Sequence, residues 1–214
     1  PLWHRLEHAR AWYFFEQANR AFADGKSSEG LLYLANAYEF DPANYQIGIT
    51  LAKNYQVGQP SHSDAVFEQL MREHPDRRHA TAQDWFRALL PRGDFDKIAT
   101  LARNELVAGS DHASVWLRAL LFATRQTGKE APLREILDPK SANTRIWHSV
   151  VELELLVRNG KRAEALALIA RPLPDNAAVF TIYHRIDALI DLKEYFAALD
   201  LIGKYSQRLA SDPQ

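Results

Sequence analysis

The stretch GKSSEGLLYLANAYEFDP, residues 25–42, decides the fold. Leu31, Leu34, Ala35 and Tyr38 recur at the three-and-four spacing of one helical face, and no period of two marks a strand. Gly25 stands where a preceding helix must stop and turn left-handed, a backbone state that costs glycine no Cβ clash. Asp41-Pro42 closes the stretch, because proline cannot continue the helix it follows.

The same punctuation recurs along the chain. Gly25, Gly58, Gly93, Gly128 and Gly160 follow one another at intervals of 33, 35, 35 and 32 residues, and Lys193 continues the series at 33. Two helices of three to four turns with two short turns consume about that length. A second mark falls at Asp41-Pro42, His74-Pro75, Asp111-His112, Asp138-Pro139, Pro174-Asp175 and Asp212-Pro213, where one unit hands over to the next. Trp85, Trp116 and Trp147 stand 31 residues apart, each placed by the spacing in a first helix as a packing residue.

On these residues the chain resembles the tetratricopeptide-repeat family. The best match is Ala11–Asn44: Phe14 and Ala18 take the large and small places of the first helix, and Gly30, Leu34 and Ala37 the packing places of the second. Leu51, Ala52, Tyr55, Phe67 and Leu70 continue the pattern around Gly58, with QPSHSD read as a polar loop before the second helix. The third unit lacks a closing proline. The fourth leaves 11 residues between Gly128 and Pro139, room for a second helix of barely two turns. The resemblance implies an all-α, right-handed α-solenoid of about six antiparallel helix pairs in a single domain, 1–214. Its units are 11–44, 45–77, 78–112, 113–140, 141–176 and 177–212, with 1–10 as an extension of the first helix or the remnant of a preceding repeat.

Composition bounds the function. A 214-residue chain with 47% hydrophobic and 25% charged residues folds around a core. Its net charge of −1 supplies no global field toward nucleic acid or an anionic membrane, and Arg72, Arg77 and Arg78 make only a local basic spot. Without cysteine there is no disulfide or thiolate chemistry, and the compartment stays open between cytoplasm and periplasm. No apolar run approaches the ~18 residues that span a bilayer, so direct membrane insertion by this segment is not expected. Pro1 in place of an initiator, with Met71 the single methionine, suggests a portion of a longer bacterial chain with an anchor elsewhere.

In the family the groove is lined by set positions of each first helix. Carried over by the resemblance, these are Trp12, Phe15, Asn19, Gln46, Lys53, Gln83, Arg87, Leu117, Trp147, Glu154, Phe180, Tyr183 and Asp187, a mixture suited to a protein or peptide ligand. The aromatics among them equally suit a core between helices. One subgroup grips a C-terminal carboxylate with basic and amide residues; Asn19 fits that pattern, but Phe15 and Thr50 depart from it, so chaperone-tail capture is not expected.

Several short motifs suggest chemistry. His4-Arg5-Leu6-Glu7-His8 has the H-x-x-E-H spacing of inverted zinc peptidases, without a third ligand, and a solvated helix face explains it better. Gly25-Lys26-Ser27 lacks the earlier glycine of a phosphate loop, because Arg20 stands there. Ser61-His62-Ser63-Asp64 and the pair His74 and His79 around Asp76 read as polar loops, since adjacency along a chain does not build a triad. Asp187, Asp191 and Glu194 form an acidic patch, which solvation explains better than a metal. The expectation is a noncatalytic scaffold with no cofactor and no metal. Two alternatives stand beside it: a substrate-recruiting domain of an enzyme whose catalytic part lies elsewhere, and a homo-oligomer joined through terminal helices.

Overall fold

The computed structural model describes residues 2–138, 142–174 and 177–211, with side chains from Arg5 onward. Pro139, Asp175, Asp212 and Pro213 of the expected unit boundaries, and the His4 side chain, lie outside that description. Among the described residues there are twelve α-helices, short 3₁₀ turns and no strand. Contacts gather into two compact units, Pro1–Asp94 and Phe95–Gln214. The division falls inside the expected third hairpin, 78–112, whose first helix belongs to one unit and whose second belongs to the other.

The first unit comprises α1 (Leu2–Ala23), α2 (Ser27–Phe40), α3 (Tyr45–Gly58), α4 (Pro60–Glu73) and α5 (Arg78–Leu89). Residues 2–10 continue α1 without a break, which is the extension rather than a separate preceding helix. Its stripe Ala11, Phe15, Ala18 and Ala21 is buried and faces α2, where Gly30, Leu34 and Ala37 are buried in turn. Gly30 is required by the closeness of the pair: a Cβ there would sit 2.7 Å from the Phe22 ring. Asn44 starts α3 by accepting the backbone N–H groups of Gln46 and Ile47. At Gly48 a Cβ would lie 2.7 Å from Leu70 of α4 and 3.0 Å from Tyr38 of α2, so α2, α3 and α4 converge on a backbone without a side chain.

The second unit comprises α6 (Phe95–Ala108), α7 (Ala113–Thr127), the six-residue α8 (Ala131–Ile136), α9 (His148–Arg158), α10 (Arg162–Ala170), α11 (Val179–Asp191) and α12 (Tyr195–Ala210). The brevity of α8 is what the spacing to Pro139 anticipates. Leu153, Leu168, Ile182, Ile186 and Leu189 form the core joining α9 to α12. At roughly 2–3 kcal/mol per buried aliphatic side chain, this shared seam supplies what a lone hairpin lacks.

The turn markers divide informatively. Gly25, Gly93, Gly128 and Gly160 have positive φ, and so does Lys193, at 61°. At Gly25 the N–H of Gly25 reaches the Phe22 carbonyl and that of Lys26 the Ala21 carbonyl, the six-to-one and five-to-two pattern of a Schellman stop. The same pair of bonds recurs at Gly93, Gly160 and Lys193. Gly58 ends α3 where the spacing places a stop, but without a positive φ, and Pro60 begins α4 after Gln59 alone. Gly109, unmarked by the spacing, makes a further Schellman stop after α6, with φ of 78°. Asn143 covers it, its amide donating to the Val107 carbonyl at 2.9 Å.

Arginines also bond the end carbonyls of helices. Buried Arg185 of α11 donates from one nitrogen to the Ile169 and Arg171 carbonyls, closing α10, which ends without glycine. Arg158 of α9 donates to the Thr124 carbonyl of α7, and Arg162 of α10 to the Leu192 carbonyl after α11. Cations suit these places because the free carbonyls are the negative ends of their helices.

Candidate partner-binding surface

The side chains proposed to line a groove fall on α1, α3 and α5 of the first unit and on α7, α9 and α11 of the second, except Trp147, which the spacing places in a helix but which closes the 3₁₀ turn before α9. In the first unit Trp12 is exposed, while Phe15 is buried against it, the two rings edge to face at 5.3 Å. Phe15 is therefore core, as the packing alternative holds. Asn19 and Gln46 are exposed and Gln83 is half-buried. Lys53 of α3 and Arg87 of α5 converge on one carboxylate, Asp84, at 2.7 and 3.1 Å. This exposed bridge joins α3 to α5 and leaves Arg87 largely in solvent.

Trp12 also holds the first motif in place. Its indole N–H donates to His8 Nε2 at 3.0 Å, so His8 Nδ1 carries the proton it donates to Asp41 at 2.8 Å. Both ring nitrogens of His8 are thereby engaged in hydrogen bonds. Groups of three or more metal-ligating side chains do not occur among the described residues.

The stretch QPSHSD is a correction. From Pro60 onward it is the first turns of α4, because proline at the first helical position needs no N–H partner. Ser63 and Asp64 face inward: the Ser63 hydroxyl donates to the Ala52 carbonyl at 2.7 Å, and Asp64 accepts from Trp85 Nε1 at 2.8 Å and Arg92 at 2.6 Å. His74 does lie in the connection after α4, its ring edge to face with Tyr45 at 5.3 Å, whereas His79 belongs to α5.

In the second unit half of the expected lining is inside. Leu117 and Trp147 are buried, and Glu154 is 2% exposed. Glu154 of α9 receives two bonds from Arg125 of α7, each 2.7 Å, and lies 3.8 Å from His184 of α11. His184 Nε2 donates to the Val150 carbonyl at 3.1 Å. Burial pushes the His184 imidazole down from its ordinary value, with Glu154 opposing and Arg125 reinforcing that effect. Arg125 is driven up, chiefly by its bonds to Glu154, with Asp187 and Asp191 adding attraction. Beside this centre Arg118 lies over the Phe180 ring at 4.9 Å, and Phe180 meets Trp147 edge to face. Tyr183 is half-buried and Asp187 exposed.

Sequence reasoning missed Asp64, Arg125, His184 and Arg185. The available signal was an ionisable residue inside an apolar helical run, as in VELELL and IYHRIDALI. Such a residue needs a partner from another helix.

No protein-family model matches the chain, and a search of curated proteins returns no match. The family resemblance accordingly rests on the repeat spacing and the packing positions alone.

Proposed function

We propose that this chain is a noncatalytic scaffold of the tetratricopeptide type, an α-solenoid that holds a protein or peptide partner on the exposed faces of its first helices. The observation that carries the reading is the regular recurrence of left-handed helix stops at Gly25, Gly93, Gly128, Gly160 and Lys193, at repeat-length intervals or their multiples. Helical hairpins closed at a recurring interval are what repeat scaffolds are made from. A supporting point is chemical. Ser63, Asp64, Glu154 and His184, residue types that serve catalysis elsewhere, are here engaged in tying helices together.

Each unit offers its own surface to a partner: Trp12, Asn19, Gln46, Lys53 and Arg87 in the first, and Tyr183 and Asp187 in the second. Exposed aromatic, amide and arginine groups provide contact area and directional hydrogen bonds. A photo-crosslinking side chain placed at Gln46, Arg87 or Asp187 in native cells tests this, with Glu68 on α4 as the control. Capture of the same protein from the three test positions but not from the control supports the reading. Equal capture from Glu68 would sink it. Arg87→Ala is expected to leave stability within about 0.5 kcal/mol while weakening that partner's binding.

A further inference from the structure

One helix carries more apolar surface than its own core uses. On α12, Ala198, Leu201, Tyr205 and Leu209 face the packed interior, whereas Tyr195, Phe196, Leu199 and Ile202 are 57, 86, 64 and 41% exposed. At about 100° per residue the two sets together cover about 220° of the helix, against the ~100° stripe that a single packed face requires. The outer residues Tyr195, Leu199 and Ile202, all ahead of the break in helical backbone at Tyr205, are spaced four and three apart, the spacing of a seam between two helices. Leu199 lies at the centre of that seam.

We propose that this face pairs two copies of the chain, α12 against α12, antiparallel about a two-fold axis near Leu199. The face is self-complementary in that register. Leu199 meets its own symmetry mate, Phe196 falls opposite Ile202 of the second copy, and Tyr195 falls opposite Gly203. Around Gly203 a Cβ would meet nothing within 4 Å, which leaves a hollow for the tyrosine ring. Size agrees with a weak, specific dimer. With aromatic side chains burying roughly 150–250 Å² each when fully covered, the four exposed residues remove on the order of 1,000 Å² over both copies, the lower edge of specific interfaces. The pairing is independent of the partner-binding reading, since no residue proposed for that surface lies on α12.

The cysteine-free chain makes the test direct. Leu199→Cys is expected to form an interchain disulfide under mild oxidation, because the two-fold axis brings the two sulfurs together. Lys204→Cys, about 140° round the helix, is not. Sedimentation velocity on the unmodified chain should show a concentration-dependent monomer–dimer equilibrium, and Phe196→Asp should weaken it at least tenfold with an unchanged thermal midpoint. A monomer throughout a hundredfold range of concentration, or equal cross-linking at positions 199 and 204, overturns the proposal. Should Phe196→Asp fail to fold, the comparison of the two cysteines decides alone.

Discussion

Arg125 of α7 grips Glu154 of α9 through two parallel N–H···O bonds of 2.7 Å, and the carboxylate so held is shut away from solvent. The guanidinium is about half exposed, so only one partner carries the full cost of desolvation. Arg125→Ala strands Glu154 and is expected to cost roughly 2–4 kcal/mol, somewhat under the value for a pair buried on both sides. Replacing both residues by methionine should restore most of it, because no charge is then left in the core. Chemical denaturation of the two singles and the double reads the coupling; additive losses would mean that the pair does not act as one.

Acid should loosen the same centre. His184 is held neutral by burial, so its folded-state affinity for a proton is below that of the unfolded chain, whose ordinary value is 6.5. Between those two values unfolding takes up a proton, and stability falls as pH drops below about 7, levelling once the folded value is passed. His184→Gln should flatten this part of the stability profile. An identical profile in the variant would remove His184 as the cause.

Backbone strain predicts a gain. Lys193 occupies the left-handed position that glycine fills at the corresponding stops, and a Cβ there is unfavourable. Lys193→Gly should stabilise the chain by about 0.5–1 kcal/mol, and Gly160→Ala should destabilise it by about 1 kcal/mol. Thermal melts of the two variants moving in the same direction would contradict the assignment.

The buried Asp64 links α4 to Trp85 of α5 and to Arg92. Asp64→Ala leaves both donors without an acceptor and is expected to cost about 3 kcal/mol, while Asp64→Asn, which keeps an oxygen for the indole, should cost roughly half as much. Because the carboxylate is buried, added salt should change neither loss appreciably.

Core size gives a final check on register. Leu34→Ala, at a fully buried site on α2, should lower stability by about 2–5 kcal/mol. Ile169→Ala, at the edge of the α9–α12 core, should fall at the lower end of that range. An unchanged denaturation midpoint for Leu34→Ala would contradict its placement.

The helices were legible because their signals are local. Gly25, Gly128 and Gly160 stop helices where the spacing places them, and Leu34, Ala37, Phe67 and Leu70 are buried where the pattern puts them. QPSHSD misled because a proline that opens a helix carries the same local signal as one that lies in a loop, and Pro60 here opens α4. The proposed surface was legible only in part. Phe15 and Glu154 sit at first-helix positions that the resemblance assigns outward, yet both are enclosed, since their neighbours on other helices cannot be read from their own helix. Arg125 and His184 lie 29 and 30 residues to either side of Glu154, a distance at which only the packing of three helices reveals a partner.

Three of the left-handed corners, Gly25, Gly128 and Gly160, stand clear of every other atom within 4 Å of a notional side chain. Residues spliced in beside such a corner displace nothing and enlarge a surface loop at small entropic expense. These corners are therefore the natural ports for inserting an affinity tag or a fluorophore. The crowded helical sites at Gly30 and Gly48 would reject any such guest.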